Sequence, residues 1–81
     1  MQYEQILYSN HAVKQLFLRD ISTNEIEYVL QNGETIIEYP DDKPYSSKIL
    51  LSFCNKRPLH IVRSYIVDEK AIVIITAYEP S

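Results

Sequence analysis

Two histidines, an arginine and two hydroxyl-bearing residues are spaced so that a simple fold could gather them around a phosphate. His60 follows Arg57-Pro58-Leu59, and Thr76 and Tyr78 close the apolar run Ala71 to Ala77. If the segments flanking Asp68-Glu69-Lys70 form an antiparallel hairpin centred near residue 69, positions 60 and 78 lie opposite one another. Arg57, His60, Thr76 and Tyr78 would then meet at one end of it. Such a set has the parts of metal-free RNA cleavage, in which a 2′-hydroxyl loses a proton, the leaving oxygen gains one, and the crowded phosphorane needs cationic support. Histidine moves the protons, arginine grips phosphate bidentately, and tyrosine or threonine orients. His11 would stand in the first turn of a helix, where the positive dipole end disfavours a cationic imidazole and so suits a general base. The expected catalytic set is His11, His60, Arg57 and Tyr78.

Other chemistries find less material. His11, His60, Cys54 and the pair Asp41-Asp42 show no metal-ligand spacing, and adjacent aspartates between prolines read as a turn that bonds its own backbone. A metal site is not expected, nor a cofactor. The single glycine, Gly33, leaves no glycine-rich loop for a nucleotide, which excludes P-loop, kinase and Rossmann functions. Cys54 has neither a disulfide partner nor an activating neighbour and reads as a small apolar filler.

Short elements must position these residues. Ala12, Val13, Leu16 and Phe17 recur at helical spacing behind Ser9, a candidate N-cap, and predict a helix within Ser9 to Asp20. Ser22-Thr23-Asn24-Glu25 is a capping box, followed by the stripe Ile26, Val29 and Leu30 and by Asn32-Gly33 as a left-handed stop. The period then changes to two. Strands are predicted over Thr35 to Tyr39, Lys48 to Phe53, Leu59 to Val67 and Ala71 to Tyr78, separated by Pro40 to Pro44, Asn55 to Pro58 and Asp68 to Lys70. This order predicts an α+β domain, residues 1–81: two N-terminal helices packed on an antiparallel sheet of three to five strands. In the third strand neither side is cleanly apolar, so periodicity does not say whether His60 or Arg63 faces water.

With 81 residues, 46% hydrophobic and 23% charged, the chain has the composition of one globular domain. Little room exists for a deep cavity, and a site should be a shallow cleft. The charge is unevenly spread: residues 1–42 hold eight acids against two basic residues, net −6, and residues 43–81 hold six basic residues against three acids, net +3. A basic face on an acidic protein is therefore allowed. No apolar run reaches the ~20 residues that span a bilayer, and Met1 to Ser9 lack the pattern of a secretory signal, so a cytoplasmic location is expected. The two-sided apolar strand and a sheet edge leave surface for a homodimer or a partner.

The segments Ser9-Asn10-His11-Ala12, Arg19-Asp20-Ile21-Ser22, Tyr39-Pro40-Asp41-Asp42-Lys43-Pro44-Tyr45, Arg57-Pro58-Leu59-His60 and Thr76-Ala77-Tyr78-Glu79-Pro80 resemble a family of small bacterial and cyanobacterial domains. That family looks like part of the barnase, EndoU, colicin and RelE-like group of RNA-cleaving toxins, close to BrnT-like proteins. The resemblance implies a RelE-like fold and an endoribonuclease toxin of a type II toxin–antitoxin pair. It also implies RNA as substrate and an antitoxin partner, commonly a zinc-finger protein of the MqsA type. It carries the family histidine to His11, the arginine ending the first helix to Arg19, the Arg-Pro-Leu-His pair to Arg57 and His60, and the final motif to Thr76 and Tyr78. Arg19, Thr76 and Lys56 are the expected substrate contacts. Gln15 stands where the family commonly has arginine and Ser46 where it commonly has proline, and the first change removes a phosphate contact. A non-catalytic protein-binding module of the same fold is the other reading. A cationic, histidine-bearing cleft would favour the nuclease, and a broad apolar exposed face the module.

Overall fold

A computed structural model describes residues 3–80. In chain order the elements are β1 (Gln5–Tyr8), α1 (Asn10–Leu18), α2 (Thr23–Asn32), β2 (Glu34–Tyr39), β3 (Ser47–Cys54), β4 (Arg57–Ile66) and β5 (Ala71–Tyr78), with one 3-10 turn, Val67–Glu69, before β5. The strands form one sheet in the order β1-β5-β4-β3-β2. The meander β2 to β5 is antiparallel, as predicted. The short strand β1 went unrecognised in the sequence and pairs parallel to β5, Gln5 to Ala71 through Tyr8 to Ile74, which makes the sheet mixed. Because β1 and β2 are the two outer strands, the helical pair between them must cross the whole sheet. It does so on one face, α1 over β5 and α2 over β3.

Capping fixes where each helix begins. Ser9 accepts from the Ala12 amide at 3.0 Å and donates its hydroxyl to the Ile75 carbonyl at 2.9 Å. That carbonyl is free because β5 carries an extra residue where the β4–β5 register shifts between Val62 and Arg63. The predicted capping box is present, with the Glu25 amide to Ser22 Oγ at 3.1 Å and the Ser22 amide to Glu25 Oε1 at 2.9 Å.

The helix ends differ from the prediction. α1 stops at Leu18, and Asp20 is left-handed with φ 54°. The Ile21 amide returns to the Leu16 carbonyl at 2.9 Å and Asp20 to Phe17, a Schellman stop with an aspartate where glycine is usual. Gly33, the expected left-handed stop, is extended instead, with φ −73° and ψ 156°. Its lack of a side chain serves close approach: a Cβ there would sit 2.4 Å from the Val29 carbonyl oxygen.

β4 starts two residues earlier than predicted, since Asn55 and Lys56, both with positive φ, make a two-residue hairpin that keeps Arg57 paired with Cys54. Pro58 is tolerated next to it. Position 58 is a non-hydrogen-bonded pair with Phe53, so its missing N–H would point away from β3, toward a flank where β5 pairs only from His60 onward.

One core results. Ala12, Leu16, Ile21, Ile26 and Val29 from the helical layer pack on Leu50, Leu59, Ile61, Ile72, Ile74 and Ala77 of the sheet. Alternation then assigns the strands: Leu59, Ile61 and Arg63 of β4 face the helices, and His60, Val62 and Ser64 face away. Among the described residues no helix covers that second face.

Candidate functional site

The expected pair forms, although the register beside the turn is one residue off and a bulge at Ile75 of β5 corrects it. His60 pairs with Tyr78, their ring centroids 5.4 Å apart and the planes at 69°, an edge-to-face contact. Thr76 pairs with Val62 on the same open face, one step along β5. Among the described residues no protein group hydrogen-bonds the His60 imidazole, the Tyr78 hydroxyl or the Thr76 hydroxyl. Leu51 flanks His60 on β3, and Val62, Ile49 and Ile37 continue the face toward β2.

The other expected members lie elsewhere. Arg57 has the parity of Leu59, not of His60, and its guanidinium turns to the helical layer. There it donates to the Arg19 carbonyl at 2.6 Å and the Asp20 carbonyl at 3.0 Å, and it pairs with Glu79 at 2.6 Å and Glu25 at 3.6 Å. Arg57 thus closes the α1–α2 corner onto the sheet and satisfies the helix-end carbonyls that α1 leaves open. His11 begins a helix packed on that same covered face. The two histidines thus belong to layers on opposite sides of the sheet, and among the described residues no hydrogen bond or ring contact joins them. Arg19 is exposed and donates through Nε to Gln15 Oε1 at 2.8 Å, and Lys56 stands exposed at the hairpin tip.

Parity settles the charge of the open face. The strand cations Lys48, Arg57 and Arg63 all alternate toward the helices, so the paired positions of the open face hold none. Large apolar side chains occupy it instead: Leu7, Ile37, Tyr39 and Phe53 are each more than a third exposed, Phe53 by 60%. Ile75 of the bulge is also exposed, and at the loop end Ser47 and Ser64 are buried, with Ser47 donating to Asp42.

The covered face holds a feature that pattern reading passed over. Arg63 is only 6% exposed, and it lines a cavity of about 380 Å³ beneath the C-terminal end of α2. Burial lowers the pKa of its guanidinium from the usual arginine range, and nearby Glu38 partly offsets this. The one available signal was a charged residue between Ile61 and Tyr65, in the middle of the strand rather than at its end. Cys54, under α2, is also buried, and desolvation, reinforced by Glu25, raises its thiol pKa above the usual range. Among the described residues no three His, Cys, Asp or Glu side chains converge as a metal site would require, and no helix is long and apolar enough to cross a membrane.

These features belong to a family defined by sequence. The profile of the Domain of unknown function DUF4258 matches residues 8–79, and the chain belongs to that family. The match begins at the last residue of β1, so the parallel edge strand lies almost wholly outside it. No curated protein and no solved structure matches the chain.

Proposed function

We propose that this chain is a protein-binding module whose uncovered sheet face docks a partner protein through apolar side chains. The observation that carries this reading is the composition of that face: exposed aliphatic and aromatic residues on four of its strands, Leu7, Ile37, Tyr39, Phe53 and Ile75, around a more buried apolar centre at Val62 and Ile49, and no strand cation at its paired positions to hold a phosphate backbone. His60 and Tyr78 lie within it as an aromatic pair with free polar tips, the kind of residue that anchors interfaces. The partner presents a complementary apolar surface with hydrogen-bonding groups for His60, Tyr78 and Thr76. An antitoxin-like protein encoded beside this chain has that role in the RelE-like reading.

A second reading is favoured by the His60–Tyr78 pair itself. In it, His60 transfers a proton during RNA cleavage, Tyr78 orients the nucleotide, and the arginine support comes from outside the strand positions of this face. One experiment separates the two. Induced expression without the neighbouring gene is scored for growth arrest and RNA fragmentation, beside co-purification with that gene's product. The module reading expects intact RNA and a complex that Val62→Lys, placed in the middle of the open face, abolishes. RNA fragmentation lost about 100-fold or more in a folded His60→Ala variant would overturn it in favour of the nuclease.

A further inference from the structure

Arg63 presents a physical problem that the open face does not address. A guanidinium on a mostly buried side chain needs hydrogen-bonding or ionic partners, and where the protein supplies none they must come from whatever fills the space beside it. Among the described residues no hydrogen bond or ion pair holds Arg63, which is 6% exposed, and since no buried side-chain nitrogen lacks a partner there, its nitrogens keep their access to the cavity it lines. Its neighbour across the strand pair, Lys48, is bridged to Glu38 at 3.4 Å, so that acid is already engaged and the local charge left over is a single positive one. Arg57, six residues earlier on the same face, shows what a satisfied arginine looks like in this fold, with two carbonyls and two carboxylates around it.

The space beside Arg63 has the dimensions and walls of a ligand site. At about 380 Å³ it falls within the range of small-molecule pockets. Leu30, Leu50 and Ile72 give it an apolar floor, while Tyr3, Gln31 and Thr35 supply polar groups near its rim. Gly33 also borders it, and an added side chain there would press on the Val29 carbonyl and on Leu51.

We propose that this cavity binds a small carboxylic acid, its carboxylate forked onto Arg63 and its apolar body on Leu30, Leu50 and Ile72. One fixed positive charge matches one carboxylate, whereas a phosphate monoester would bring nearly two negative charges to a site that holds one. The apolar floor asks for a hydrocarbon or aromatic portion that inorganic anions lack. This site faces the helices, on the opposite side of the sheet from His60 and Tyr78, and stands independently of what docks there.

Titration of the full chain with phenylacetate, followed by nuclear magnetic resonance of the arginine Nε–H and backbone amide signals, tests it. The expected result is a saturable shift at Arg63, Gly33 and Thr35, half-complete near or below ~1 mM. Phenylacetamide, the same shape without the charge, should bind at least about tenfold more weakly, since it cannot accept the charged fork. Arg63→Met should abolish the shifts and Arg63→Lys should weaken binding by about tenfold, because lysine lacks the planar fork. Equal binding of the amide, shifts centred on the open face, or no saturation at concentrations about tenfold higher would overturn the proposal. Inorganic phosphate binding more tightly than phenylacetate would overturn the carboxylate assignment. The comparison of acid with amide uses the unmodified chain and stands even if a variant fails to fold.

Discussion

The two faces of the sheet are built from the same strands, often from neighbouring residues, and yet they are governed by different physics. In β4, Leu59 and Ile61 are fully buried under the helices, while His60 and Val62, which alternate with them, are partly open to solvent. The covered face carries the stability and every strand cation. The open face carries exposed hydrophobic groups and the aromatic pair. The lesson is that binding capacity here accumulates where stability is not at stake, since residues of the open face can change without dismantling the core.

The sharpest way to break this contrast is to delete equivalent atoms on either side. Ile61→Ala, at 0% exposure, should lose about 2–5 kcal/mol in urea denaturation, whereas Val62→Ala should lose about 1 kcal/mol or less. Similar losses at both positions would mean that the second face is buried in the protein under test, as a stable homodimer would make it.

A smaller effect distinguishes the two ends of the covered face. Arg57→Met removes two bonds to helix-end carbonyls and should cost about 1–3 kcal/mol. Arg63→Met removes a buried cation without protein partners and should leave stability unchanged or raise it. A loss at Arg63 as large as that at Arg57 would show that a protein group satisfies the Arg63 guanidinium.

The mildest test uses Cys54. Its folded pKa is raised, chiefly by burial, so the neutral thiol favours the folded state; that contribution is complete below the unfolded thiol pKa and fades as pH climbs through the folded value. Stability should therefore decline in the alkaline range, and Cys54→Ser, whose hydroxyl does not ionise there, should flatten that decline. At about pH 8, alkylation by iodoacetamide should run at least about tenfold slower in the native protein than in urea. Equal rates would mean that α2 opens readily from β3.

Local chemistry made much of the fold legible. The capping box at Ser22, the stripe Ile26, Val29 and Leu30, and the turn cluster after Tyr39 each act within a few residues, so the sequence carries them whole. The pairing of His60 with Tyr78 came out as expected for a reason the turn does not supply: beside the turn Ile66 pairs with Ala71, a register that would bring His60 opposite Ala77, and the extra residue Ile75 in β5 moves it to Tyr78. β1 was not legible: four residues, Gln5 to Tyr8, become a strand only because β5 lends a parallel edge 66 positions away. Gly33 misled because a glycine after a helix usually marks a left-handed turn, and here it answers to crowding from Val29 and Leu51.

By itself, then, the sequence determined two capped helices and an antiparallel meander, consequences of short-range bonding and period-two alternation, while the facing pair His60 and Tyr78 also needed the bulge at Ile75. Only the tertiary structure decided which side of β4 the helices would cover. A strand with Leu59, Ile61, Arg63 and Tyr65 on one side and His60, Val62, Ser64 and Ile66 on the other is ambiguous until α1 and α2 choose, and they choose the side that buries Leu59 and Ile61 completely. That choice drew Arg57 into the helix corner, separated it from His60, placed His11 across the sheet, and carried Arg63 into the interior with no protein partner among the described residues. The physical reason is that apolar burial acts on a whole face at once, and polar residues of the same parity must go with it.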